Sequence, residues 1–258
     1  MGGILHTIRT TTVNRPIFVK PYPPARFHAT YNFESSGPTL AVSYGDPNWI
    51  DTSLKGTVTT SSTRALVGTQ SKLSTTSNYV KLYDTVARYA SFTGFVIQGF
   101  VYITGNAASY YNILGVSNES GSQFINLSAY QNQTPTLVDS ISGSGAGLST
   151  LGTIPLNQWV HVFMCFGGEG GQECYVGYNG NFEKAQTGTL KRDILLPGFS
   201  EIDCAYLGHG LGNYGGPNSN MWCDPMAVQD TFGLPGFAEF PRPLSGTYTI
   251  PTPTSSLW

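Results

Sequence analysis

Charge is what this chain has least of. Only 11% of its 258 residues are Asp, Glu, Lys or Arg, less than half of the roughly 25% usual in soluble domains. Thirteen Lys and Arg stand against fifteen Asp and Glu, for a net charge of −2, and no basic run occurs. Counterion release, which drives proteins onto nucleic acid, therefore has no source, and no nucleic-acid partner is expected. Long apolar runs are missing too. The longest, such as 95–103, are strand-length, well short of the roughly 20 residues of a membrane-spanning helix, so no membrane crossing is expected. The opening MGGILHTIRTTTVNRP has no apolar core and no small-residue cleavage site, and His6 stands where a myristoylation signal wants Ser or Thr. Neither a secretory signal nor a lipid anchor is expected there.

Cysteine is scarce as well. Cys165, Cys174, Cys204 and Cys223 form no C-x-x-C pair, which removes the commonest zinc spacing. Cys165 and Cys174 flank the turn-forming GGEGGQ. A tight turn at Glu169-Gly170 would set them opposite each other across a hairpin, as a cross-strand disulfide or as two small buried thiols.

Sustained helical periodicity is the last absence. What the chain has instead are short runs of Val, Ile, Phe, Tyr and Thr separated by Gly, Pro, Asn and Ser, with 31 Gly and 16 Pro to make turns. That spacing belongs to antiparallel sandwiches and jelly rolls. With so few charges, its polar surface must be hydroxyls and amides, which suits an exported or assembled protein. In 95–103, Phe95, Ile97, Val101 and Ile103 share one face and Gln98, Phe100 and Tyr102 the other. Both faces of 159–166 are apolar, as a central strand requires. Trp159 on that strand is read as core, worth about 3–5 kcal/mol against Ala, and His161 as a buried, hydrogen-bonded imidazole.

Residues 1–28 read differently from residues 29–258. Pro16, Pro21, Pro23 and Pro24 forbid helix and central-strand pairing, so the segment is expected to be an extended arm. Its apolar residues, Ile8, Val13, Ile17 and Phe18 among them, need cover, since each large side chain left in water costs about 1.5–3 kcal/mol. The expected cover is another protein chain. From residue 29 the strand pattern runs on without a linker, so one sandwich domain is expected.

The order of segments resembles the laminin G-like family of the concanavalin A-like superfamily. The matching runs are GTQSKLSTTSNYVKL (68–82), FTGFVIQGFVYIT (92–104), YNILGVSN (111–118), FINLSAYQN (124–132), NQWVHVFMCF (157–166), CYVGYNG (174–180), AYLGHG (205–210) and PMAVQDTF (225–232). The W-V-H-V strand followed by a hairpin into Y-V-x-x-N-G is the most specific piece. The resemblance implies a two-sheet antiparallel jelly roll used to bind carbohydrate or protein. The chain is also similar to bacteriophage virion proteins, which commonly close with a segment like GTYTIPTPTSSLW (246–258). Family members that hold calcium use rim-loop carboxylates; no such cluster maps here, so a structural calcium ion stays unassigned and no other cofactor is implied.

Catalytic patterns fare poorly. A glycosidase family on this fold carries E-x-D-x-E on one strand, matched here by Glu201-Ile202-Asp203-Cys204-Ala205. Retaining chemistry needs two carboxyls about 5–5.5 Å apart, a nucleophile and an acid/base, and Ala205 removes the second. No G-x-S-x-G elbow precedes a helix. The glycine-rich stretch 208–222 is the best binding candidate, because Asn213, Tyr214, Asn218, Asn220 and Trp222 offer amides and aromatic faces to a sugar. A plain connecting loop is its other reading. Trp49, in GDPNWID, is a similar candidate. Sequons at Asn118, Asn126 and Asn132 cannot all be glycosylated on one strand-like stretch.

The expectation is therefore a non-enzymatic bacteriophage structural protein, displayed on capsid or tail in multiple copies or as a homo-oligomer. Its N-terminal arm would anchor it to other virion proteins, and a cell-surface glycan is a further partner. The alternatives are a free carbohydrate-binding lectin and an atypical polysaccharide hydrolase.

Overall fold

The computed structural model describes residues 27–31, 33–34, 40–45, 50–82, 94–105, 110–130, 133–139, 145–147, 151–167, 173–184, 204–211, 215–230, 245–248 and 250. Every regular element among them is a strand. The centre of the larger, ten-stranded sheet is β12 (Trp159–Gly167), β7 (Gly94–Ile103) and β16 (Met221–Asp230). It is extended on one side by β13 (Glu173–Tyr178), β14 (Asn181–Lys184) and β17 (Ser245–Thr247), and on the other by β1 (Phe27–Tyr31) and β2 (Leu40–Gly45). Two short strands, β4 (Thr59–Ser61) and β5 (Ser71–Leu73), join it through β16.

The seven-stranded sheet runs β11 (Gly145–Gly147), β10 (Pro135–Asp139), β9 (Phe124–Tyr130), β8 (Tyr110–Ser117), β15 (Cys204–Leu207), β6 (Asn78–Leu82) and β3 (Ile50–Gly56). The strands pair antiparallel throughout both sheets. The expected all-β sandwich is what the chain forms. Its first strand starts at Phe27, two residues before the expected boundary. Ile8, Val13, Ile17 and Phe18 of the arm lie outside the described residues.

Alternation builds the core. Ile97, Val101 and Ile103 of β7 and Val160, Val162 and Met164 of β12 meet Leu114, Val116, Ile125, Leu127 and Leu207 of the facing sheet in one buried cluster. The opposite face of the large sheet is covered as well, which makes β12 apolar on both sides. There Val96, Phe163, Cys165, Tyr175 and Phe182 form a second cluster, with Tyr248 packed on it. Gly177 makes this possible: a Cβ at that position would lie 2.1 Å from the Phe163 ring.

His161 sits in this outer layer, 1% exposed, between Gln98 Oε1 (2.9 Å from Nε2) and the Tyr248 hydroxyl (2.8 Å from Nδ1). Gln98 Oε1 can only accept, so Nε2 carries the proton and Nδ1 accepts from Tyr248. Burial pushes its pKa down to about 3. The expected hydrogen-bonded core histidine is thus found.

The hairpin expectation for Cys165 and Cys174 needs correcting. Cys165 is opposite Tyr175, and Cys174 opposite Phe166. One residue of offset puts the two thiols on opposite faces of the sheet: Cys165 in the outer cluster, Cys174 in the central core. No bond can join them, and all four cysteines are buried thiols outside any disulfide.

On the outer face of the small sheet lies a buried polar layer. Asn112 Oδ1 accepts from Ser128 Oγ (2.9 Å), and Tyr206 donates to Asn126 Oδ1. Asn126, a sequon residue, is fully buried, and Asn118 is spent on the β8–β9 turn, where its Oδ1 accepts from the Gln123 N–H (3.0 Å). Asn132 lies outside the described residues. Among the described residues no helix is long and apolar enough to cross a membrane.

Candidate functional site

The site is built from register. Trp222 of β16 is paired with Tyr102 of β7, and Tyr102 with Trp159 of β12. Residues in register share a face of the pleat. Their neighbours Cys223, Val101 and Val160 point into the core, so the three rings point out. Strands are about 4.8 Å apart, so the row crosses about 10 Å of sheet. Tyr102 meets Trp159 edge-on at 5.6 Å between centroids and Trp222 at 6.3 Å, the arrangement that aromatic quadrupoles favour. All three are half-buried.

One loop, 62–70 between β4 and β5, is folded beside this row by hydrogen bonds to its backbone. Asp224 Oδ2 accepts from the Leu66 and Val67 N–H groups (2.8 and 2.9 Å). The Glu34 carboxylate accepts from the Thr69 N–H (2.9 Å) and hydroxyl (3.0 Å). Gly68 has φ of +71°, and a Cβ there would fall 2.0 Å from Glu34 Oε1, so only glycine lets the turn close on that carboxylate. The Arg64 carbonyl accepts from Ser71 Oγ (2.5 Å), and Ser61 Oγ accepts from the Trp222 indole N–H (3.3 Å). The result is a fixed loop that lays the Arg64 guanidinium over Tyr102 (4.1 Å to the centroid) and Trp222 (5.0 Å). Leu66 and Trp159 pack on Phe100 and Ala227 beside it.

Burial pushes the Asp224 carboxyl up to about 7; the Val67 and Leu66 N–H groups oppose this and the Glu34 charge adds to it. Its Oδ1 is buried without a partner. Among the described residues, no group of three or more His, Cys, Asp or Glu could hold a metal ion.

Of the binding candidates singled out in the sequence, Trp222 is the one found in this row, where it is joined by Trp159. Asn218 is fully buried and holds its own loop, donating to the Gly105 carbonyl (2.9 Å) and accepting from the Asn220 N–H (3.0 Å). Asn220 is half-buried beside it. Asn213, Tyr214 and Trp49 lie outside the described residues, as do Glu201 and Asp203. Ala205 is buried in the central core. Gly208, Gly210 and Gly215 serve close packing within the chain; a Cβ at Gly210 would enter the Tyr206 ring at 2.1 Å.

Trp159 is half-buried on the outer face, not in the core between the sheets. Its replacement by Ala is accordingly expected to cost about 1–3 kcal/mol by urea denaturation, below the full-burial value. Tyr102 and Arg64 were not singled out. The alternation in 95–103 does put Tyr102 on the outer face; nothing in the sequence brings Arg64 over it.

Comparison with family models and with curated proteins gives no match. Solved structures do match. A Trypanosoma rangeli sialidase in complex with 2,3-difluoro-KDN superimposes with a TM-score of 0.52 at 12% identity, over 78% of this chain and 30% of that one. A second structure of the sialidase gives 0.51 at 14% identity over the same shares. The likeness is one of fold. This chain thus spans under a third of the sialidase's length, as a β-sandwich. Domain 4 of AbnA, an extracellular arabinanase from Geobacillus stearothermophilus, matches at 0.48 and 15% identity, over 80% of this chain and 93% of that domain.

Chemically, the row offers aromatic surface, an indole and a phenol at its polar edges, and one cation.

Proposed function

We propose that this sandwich is a non-enzymatic glycan-binding module, carried by the N-terminal arm on a multi-copy virion assembly. The observation that supports glycan binding is the in-register row Trp222–Tyr102–Trp159: half-buried aromatic side chains on a rigid three-strand base, flanked by a fixed polar loop. Sugars present C–H faces that pack on such rings, and large rings held in place lose little entropy on binding. The sialidase is a carbohydrate-active enzyme, but at 12–14% identity it lends this reading a fold and no more. The virion part rests on the arm's sequence alone, in which Ile8, Val13, Ile17 and Phe18 are apolar residues that call for a covering partner and Pro16, Pro21, Pro23 and Pro24 disfavour helix.

The test is a screen of the folded protein against immobilised polysaccharides, followed by Trp222→Ala. Wild type should retain at least one glycan, and the variant should bind it about tenfold more weakly or worse, as truncating a tryptophan anchor commonly does. A folded wild type that binds none, or a variant that binds unchanged, removes the reading. Deleting residues 1–26, which leaves β1 intact, should spare glycan binding and abolish co-purification with other particle proteins.

A further inference from the structure

Arg64 is the least explained residue of the site. Its guanidinium lies over the rings of Tyr102 and Trp222. Its edge carries five N–H donors in a planar fork, and among the described residues none of them has an acceptor; Nε is buried without one. The two carboxylates that fold the same loop are turned elsewhere: Asp224 Oδ2 to Leu66 and Val67, Glu34 to Thr69. Buried donors in native proteins are nearly always satisfied, so an orphan next to a row of aromatic rings points to an absent acceptor. The backbone of Arg64 is tied down by Ser71, so little ordering remains to be done when that acceptor arrives.

We infer that the row recognises an acidic sugar, a glycan unit whose carboxylate is held by the guanidinium edge of Arg64 while its ring packs against the neighbouring aromatic side chains. This rests on the glycan-binding reading above and adds the class of sugar. A carboxylate matches the planar fork with two parallel hydrogen bonds, whereas a hydroxyl accepts one. The net charge of −2 and the absence of a basic run make recognition local to one cation. That predicts a weak salt dependence, unlike polyanion binding by a basic field.

The experiment uses the full chain and three immobilised probes, oligogalacturonate, hyaluronate oligosaccharides and sialyllactose. Each is paired with its carboxyl-reduced neutral counterpart, and a sulfated neutral oligosaccharide is added. Wild type should prefer at least one acidic probe over its reduced form by about tenfold or more. Arg64→Gln should bring that ratio close to one while binding to the neutral form persists, and Arg64→Lys, a point charge without the fork, should fall between. Thermal unfolding of both variants verifies that they fold. Equal binding to acidic and reduced probes, a ratio unchanged in Arg64→Gln, or equal preference for the sulfated probe would each overturn the carboxylate assignment and leave glycan binding standing. No binding to any probe, neutral or acidic, would overturn both.

Discussion

Between pH 7 and pH 4, Asp224→Asn should lose about 3 kcal/mol more stability than the wild-type protein does. Two buried groups titrate in this window with opposite effects. His161 is held neutral between Gln98 and Tyr248, with its pKa lowered from 6.5 to about 3. Its unfolded form takes up a proton that the folded form refuses, so its contribution is full above pH 6.5 and is lost as pH falls towards 3. By pH 4 that is about 2.5 pH units at 1.36 kcal/mol each, or about 3 kcal/mol. Asp224 moves the other way, from 3.8 up to about 7. Its folded form keeps a proton that the unfolded form releases, so it favours folding increasingly as pH falls from 7 to 3.8, again by about 3 kcal/mol by pH 4.

In the wild type the two nearly cancel. An asparagine at 224 keeps an oxygen for the Leu66 and Val67 N–H groups but does not titrate, so the loss from His161 is exposed. Urea denaturation of both proteins at pH 7, 5.5 and 4 gives the comparison. Every other titrating group is common to the two and drops out of the difference. Parallel profiles would show that Asp224 titrates near its ordinary value.

Phe163→Ala should cost about 3–5 kcal/mol at neutral pH, although its side chain does not enter the space between the sheets. The ring is fully buried in the outer cluster with Val96, Cys165, Tyr175 and Phe182, and Tyr248 meets it edge-on at 4.8 Å. Its seat is Gly177, where a Cβ would stand 2.1 Å from the ring and 2.8 Å from the Asn181 carbonyl oxygen. Gly177→Ala should therefore also destabilise, and the double variant should cost less than the sum of the two, because the methyl enters the space the ring has left. The Asn181 carbonyl keeps the relief partial. A Phe163→Ala cost below about 1 kcal/mol would mean that the outer layer is not a second core.

What was legible in the sequence is what depends on period alone. Alternation over 95–103 gives a strand with one fully apolar face, and 159–166 a central strand apolar on both; turn residues at short intervals give an antiparallel sandwich; His161 between Trp159 and Phe163 gives a histidine that must be satisfied internally. These readings hold because a strand's faces are set by the two-residue repeat, whatever it pairs with.

What pairs with what was decided only by the tertiary structure. A single residue of register separates Cys165 opposite Cys174 from Cys165 opposite Tyr175, and the loop sequence between them does not fix it. Trp222, Tyr102 and Trp159 are far apart in the chain and become one row only because β16, β7 and β12 are adjacent and aligned. Arg64 reaches that row through a loop held by Asp224, 158 residues from Leu66, and by Glu34. Hydrophobic periodicity carries no information about such long-range hydrogen bonds. They form when the folded sheets have already brought carboxylates and backbone N–H groups within reach, so a site made from them exists only in the assembled sandwich.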